Sequence, residues 1–245
     1  SFAKSMALGL GIPLIEVNHM QAHILAHFIQ DSDMTSPTFP FLALTVSGGH
    51  TQILRVKDYF DMEILGQTLD DAVGEAFDKS AKILGLPYPG GPLVDTYAQK
   101  GNPLAFEFPI PNIKDLNFSF SGLKTSILYF VQRKTKENPD FITDNLADIC
   151  ASIQHTIVII LMRKLKKSVK KTGIKTIAIG GGVSANSGIR KALLDAEKEL
   201  GWKVHIPKFE YCTDNAAMIG IVGYLKLKKG IFAEQNVTAM ARYGF

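Results

Sequence analysis

Two histidines four residues apart, His19 and His23 in NHMQAHILAHF, fall on one face of a helix, where both imidazoles can reach one metal ion. Two imidazoles leave a divalent ion short of ligands. Asp214, in the acidic helix start CTDNAAM, is the expected third ligand and makes a two-His, one-carboxylate set with positions open for substrate. The bland alternative is a helix with a polar stripe, because H-x-x-x-H alone arises by chance. His27 extends the row by a further turn and is read as an ordinary core or surface histidine. Met20 stands where the zinc-protease pattern H-E-x-x-H carries its general base, which argues against peptide hydrolysis by that route.

Two glycine loops are the second chemical signal. SGGHT, around Gly48 and Gly49, and GGGVSAN, ending at Asn186, let the backbone approach a phosphate closely with its amides as donors. The helix expected after GGGVSAN adds the positive end of its dipole. Neither loop matches G-x-x-x-x-G-K-[ST] or G-x-G-x-x-G, so neither a P-loop nor a dinucleotide fold is supported. Taken singly, each loop is also explained as a tight turn that needs positive φ.

The elements that must position these residues alternate between strand and helix. AKSMALGL reads as a helix and PLIEV as a strand; the His helix ends near Gln30. FLALTVSGGHTQILRV is a hairpin closed by SGGH. LDDAVGEAFDKSAKILGL is a helix, PYPGGPLVD a glycine-proline turn into a short helix, and FEFP and NFSFSGL are strand and loop. Two helices run from Leu123 to about Lys134 and from about Asp144 to Lys171, parted at Asn138-Pro139. KTIAIGGGVSANSGIRKALL reads as strand, loop and helix, WKVHIP as a strand, and the Asp214 helix precedes a polar tail. The alternation indicates an α/β architecture with its site at the strand ends.

Composition bounds the rest. With 245 residues, 46% hydrophobic and 20% charged, the chain can bury a substantial core and is not of the disordered class. Its longest apolar run, Thr156 to Met162, is far below the roughly 20 residues of a membrane span, so no membrane and a cytoplasmic location are expected. Cys150 and Cys212 have no metal-knuckle spacing and are read as reduced. The net charge of +4 is unevenly placed: Arg163, Lys164, Lys166, Lys167, Lys170, Lys171 and Lys175 follow one another without an acid. That run is either the solvated face of a long helix or an RNA footprint. A start at Ser1 without methionine suggests a cut chain.

The ordered set VNHMQAH, TVSGGHTQIL, LDDAVGEAFDKSAKILGLPYPGGP, FSFSGLKTS, IGGGVSAN and CTDNAAMIG resembles the bacterial tRNA adenosine threonylcarbamoyltransferases, long mislabelled sialoglycoprotein endopeptidases. The resemblance implies the actin-like ATPase fold of sugar kinases, Hsp70 and actin, with two ribonuclease-H-like lobes. Residues 1–38 and 232–245 would be the remnant of an incomplete first lobe and 39–231 the second lobe. It implies iron or zinc on His19, His23 and Asp214, and ATP or threonylcarbamoyl-AMP across Thr45, Val46, Ser47, Gly48, Gly49, Asp78, Gly91, Asp95 and Asn186. The implied reaction transfers the threonylcarbamoyl group to the exocyclic amine of adenosine 37 in tRNAs reading ANN codons. A paralogous actin-fold protein and a P-loop ATPase are the implied partners besides tRNA. No catalytic base is named; His50 is a candidate for proton handling. Roughly the first ninety residues of the family pattern are expected to be missing, which would leave a fragment with reduced or no activity alone. The competing expectations are a nucleotide-binding regulatory or scaffolding module and, less favoured, a metalloendopeptidase.

Overall fold

The computed structural model describes residues 1–31 and 35–240. Five strands form one mixed sheet: β1 (Phe41–Val46), β2 (Thr51–Asp58), β3 (Asp61–Gln67), β4 (Thr176–Gly180) and β5 (Lys203–His205). Their order is β3-β2-β1-β4-β5, antiparallel across the β1-β2-β3 meander and parallel from β1 through β4 to β5. Every residue of the central β1 is buried, as FLALTV, apolar except for Thr45, suits a strand covered on both faces.

Alternation along β1 sends its side chains to two different layers. Leu42, Leu44 and Val46 join the larger core with α3 (Val73–Ile83), α4 (Gly90–Ala98), α5 (Ser121–Glu137), α6 (Phe141–Thr172) and α7 (Ser187–Leu200). Phe41 and Ala43 face the smaller core, built on α2 (His19–Leu25) and α8 (Ala216–Lys228). The site residues on α2 are therefore seated on the face of the sheet opposite α6. An N-terminal helix, α1 (Phe2–Leu10), leaves Phe2, Leu8 and Leu10 exposed.

Several expected elements differ. Residues 13–17, expected as a strand, are not one: the Leu14 carbonyl accepts from Ala233 N and the Glu16 carbonyl from Lys226 Nζ, so partners outside the sheet serve this stretch. FEFP is likewise no strand, since Phe106 and Phe108 alternate for a different purpose and pack against Phe130 at 5.1 and 5.4 Å. NFSFSGL is the loop it was expected to be, with one isolated bridge, Thr68 to Phe118, before α5 begins at Ser121. β3 was not expected, because the turn before it, Asp58 to Asp61, has no glycine signal. The His helix is α-helical only to Leu25 and tightens to a 3-10 turn at Ala26–Phe28.

The longest helix, α6, has a window of mean hydropathy 1.5, enough by length and composition to cross a bilayer, but 61% of that window is buried inside the protein. Its basic end turns at Gly173 into the start of β4, whereas the glycine loop leaves the other end of that strand. The run from Arg163 to Lys175 thus sits at the sheet edge opposite the loops. Two of its members have local duties: Lys164 Nζ donates to the Ile113 and Asp115 carbonyls and Lys167 Nζ to that of Asp115.

Candidate active site

The start of α2 is set by Asn18, whose side-chain oxygen accepts from Met20 N at 2.9 Å and Gln21 N at 3.1 Å. That cap makes His19 the first helical residue and puts His23 one turn on. Ala22, Ile24 and Leu25 are fully buried and clamp the helix against the sheet. Asp214 arrives from the far end of the chain, just before α8, whose own start is capped by Asn215 accepting from Met218 N. Asp214 Oδ1 stands 3.2 Å from His19 Nε2 and 3.2 Å from His23 Nε2.

One ligand atom from each of these residues lies within 4.8 Å of the others, a cluster able to hold a metal ion. Ligands about 2.0–2.1 Å from one ion stand about 2.9–3.4 Å apart in tetrahedral or octahedral arrays, and the two 3.2 Å edges fall in that window. The donor set also fits the chemistry of such an ion. Burial, and then the neighbouring His19, lower the pKa of His23, against the opposing pull of Asp214. The ring is thereby held in the neutral form that a metal requires. Its Nδ1 is buried without a protein partner among the described residues.

His27 is core. It is 1% exposed, its Nε2 pairs with the Ile179 carbonyl at 2.8 Å, and burial lowers its pKa to about 4.

The cluster opens onto a cleft of about 950 Å³. Ser47, Gly48 and Gly49 from the hairpin, Asp78, Gly91, Asp95 and Asn186 all line it with His19, His23, His50 and Asp214. Thr45 and Val46 do not: both are fully buried within β1, because residues inside a central strand point into the two layers and not off its end. The hairpin turn is closed by Ser47 N donating to the His50 carbonyl and His50 N donating to Ser47 Oγ.

The two carboxylates beyond the metal cluster are structural props for the walls. Asp78 Oδ1 accepts from Gly90 N at 2.9 Å and Gly91 N at 3.0 Å, fixing the glycine-proline segment at the head of α4. Asp95 accepts from Ser187 N at 3.1 Å and from its hydroxyl at 2.6 Å, at the head of α7. Asn186 caps α7 through Ile189 N and donates from its Nδ2 to Gln154, tying the second glycine loop to α6. Close approach explains two glycines here. A Cβ on Gly74 would lie 2.7 Å from the Ser47 carbonyl oxygen, and one on Gly181, at φ +94°, would lie 2.4 Å from that of Val46.

Among the described residues no lysine or arginine lines the cleft. An anionic ligand there would meet loop amides, and an ion if the His19, His23 and Asp214 cluster held one, instead of cationic side chains. Sequence reasoning did not single out Phe77, Tyr88, Phe209 or Thr213, which also line it. Tyr88 lies inside the flagged PYPGGP segment; Phe209, in KFEY, carried no signal.

The fold and site define an α/β protein whose strand-end glycine loops share one cleft with an imidazole-carboxylate cluster able to hold a metal ion. Residues 1–221 match the family model described as TsaD, tRNA N6-adenosine threonylcarbamoyltransferase, and the chain belongs to that family. It is 69% identical over 245 residues to the tRNA N6-adenosine threonylcarbamoyltransferase of Christiangramia forsetii, covering 100% of this chain and 72% of the relative. The enzyme of the same name from Riemerella anatipestifer is 59% identical over 243 residues, covering 99% and 71%. Among solved structures, full-length HypF in its phosphate- and nucleotide-bound form superposes with a TM-score of 0.65 at 15% identity, over 95% of this chain and 38% of that one. The HypF of T. kodakarensis gives 0.63 at 18% identity, over 93% and 39%. At such identities these two likenesses show the α/β fold alone.

Proposed function

We propose that this chain carries the threonylcarbamoyl-transfer site of its family: the threonylcarbamoyl group passes from its adenylate to the exocyclic amine of adenosine 37 of tRNAs reading ANN codons. The observation that carries the reading is the meeting of His19, His23 and Asp214 with both glycine loops in one cleft. In the transfer, the adenosine amine attacks the carbamoyl carbonyl carbon, a C–N bond forms, the bond to the phosphate oxygen breaks, and AMP and a proton leave. An iron or zinc ion held by the three residues would supply Lewis-acid stabilisation of developing negative charge.

The chain's own residues do the positioning. Amides of the Gly48-Gly49 turn and of Gly182 meet the phosphate. Asp78 holds Gly90 and Gly91 in place, and Asp95 and Asn186 hold the loop across from them. His50, on the same cleft, is the proposed proton-handling group, with no residue assigned as base.

The same reading takes the sheet as the ribonuclease-H-like core of a second lobe, residues 39–231, in an actin-like ATPase fold, with 1–38 and 232–245 belonging to the first; residues 32–34 and 241–245 lie outside the described residues. Support comes from the strand order, a three-strand meander continued by two parallel strands. ATP or threonylcarbamoyl-AMP, tRNA, a paralogous actin-fold partner, a P-loop ATPase and a cytoplasmic setting come with this reading.

The test supplies threonylcarbamoyl-AMP, metal, partner proteins and tRNA, and reads modified adenosine in digested tRNA by mass spectrometry. Product that falls at least about a hundred-fold in His23→Ala and Asp214→Ala is expected, in the range of a lost electrostatic stabiliser. Equal product from both variants and the wild type would overturn the reading.

A further inference from the structure

The cleft rim carries two large rings that the roles above leave unused. Tyr88 is 86% exposed and Phe209 67% exposed, and both line the cleft that holds Asp95 and Asp214. Neither ring is on a loose support. Tyr88 lies two residues before Gly90, whose amide is pinned by Asp78. Phe209 opens a 3-10 turn, and the Arg190 guanidinium carbon sits 4.1 Å from its ring centroid. Arg190 is fixed in turn: Nε donates to the Ser184 carbonyl at 2.8 Å, and Nη2 donates to the Pro207 carbonyl at 2.8 Å and contacts Cys212 Sγ at 3.1 Å.

A cation against one face of a phenyl ring leaves the other face as a flat apolar surface. Exposed rings on anchored backbone, beside a cleft that among the described residues has no cationic lining side chain, suit a ligand with a π-face.

We propose that Phe209, backed by Arg190, and Tyr88 form a stacking rim that receives a purine base at the cleft mouth. The proposal rests on the transfer reading, which brings two purines to this cleft. One is the base of the free adenylate and the other an unstacked adenine of an RNA strand, and the stacking chemistry is common to both. Sequence-tolerant contact with a π-face is what exposed aromatic side chains contribute to such binding.

The test compares the wild type with Phe209→Ala, Phe209→Trp, Tyr88→Ala and, as control, Tyr129→Ala on α5, which is 66% exposed and does not line the cleft. The probes are AMP, followed by calorimetry, and an anticodon stem-loop RNA with 2-aminopurine in place of adenosine 37, whose fluorescence falls on stacking. Each rim alanine should weaken binding of at least one probe roughly ten-fold, in the range measured for base-aromatic stacking, and should restore 2-aminopurine emission where the RNA base is the one stacked. Phe209→Trp and Tyr129→Ala should keep wild-type affinity. Loss with AMP alone assigns the rim to the adenylate's base, and loss with RNA alone to the strand. Rim variants within two-fold of a wild type that binds both probes would overturn the rim and leave the transfer reading standing. A wild type that binds neither would overturn both.

Discussion

Gly181→Ala probes how the second glycine loop is held over the sheet. Gly181 has φ +94° and ψ 161°, a region that residues with a Cβ scarcely enter, and occupying it costs about 1–3 kcal/mol. The added methyl would sit 2.4 Å from the Val46 carbonyl oxygen and 2.9 Å from its carbon. Val46 is fully buried at the end of the central strand, so no flexible side chain can yield. Either β1 or the loop must move by about 1 Å to reach ordinary contact, and overpacking of that kind costs about 1–3 kcal/mol more. The expected loss is therefore about 4 kcal/mol, which lowers Tm by roughly 8–16 °C for a chain of this size. Gly182→Ala is the matched comparison, since its Cβ would meet only Thr213 Cγ2 at 3.9 Å. Urea unfolding followed by circular dichroism measures both. A Gly181→Ala protein within about 0.5 kcal/mol of Gly182→Ala, the spread of ordinary surface changes, would refute the argument that this backbone contact sets the loop.

Other consequences follow from the same contacts. Burial lowers the pKa of His27 to about 4 from 6.5, so its neutral form favours the fold; that stability is complete above pH 6.5 and is lost as pH falls towards 4. At about 1.4 kcal/mol per unit the loss is on the order of 3 kcal/mol, and His27→Gln should flatten that part of a urea-derived stability profile between pH 7 and pH 4. Asp78→Ala removes the acceptor of two amides, and a loss of about 2 kcal/mol with weaker AMP binding is expected by chemical denaturation and calorimetry. Charge reversal at Arg163, Lys166, Lys170 and Lys171 should lower the salt slope of tRNA binding if that edge meets the RNA backbone, while AMP affinity stays at the wild-type value.

What was legible from residue order alone depended on whether the signal was local. β1, β2 and their turn were readable because SGGH separates two apolar runs, and the helices from α3 to α6 because Gly85 and Pro87 part α3 from α4 and Pro139 parts α5 from α6. His19 and His23 share a face through helix geometry, whereas Asp214 reaches them only because α2 and α8 pack together on one side of the sheet. Residues 13–17 have a strand's composition but, among the described residues, lack a strand neighbour, which no local pattern reveals. β3 was hidden by a turn without glycine, and Phe106 and Phe108 look like a strand while serving an aromatic cluster. Thr45 and Val46 sit two and one residues before Ser47, the first hairpin residue to line the cleft, a matter of where β1 ends. Tyr88 and Phe209 belong to loops whose ring placement depends on distant anchors, Asp78 and Arg190.

The central claim is that His19, His23 and Asp214 act as one metal site for the chemistry of the cleft. Its most direct test is metal affinity by competition with a chromophoric chelator, using zinc and ferrous iron, for wild type, His23→Ala, Asp214→Ala and His27→Gln. One ion per chain is expected in wild type and His27→Gln, with affinity falling at least ten-fold in the two ligand variants. Wild-type affinity in His23→Ala and Asp214→Ala would contradict the account.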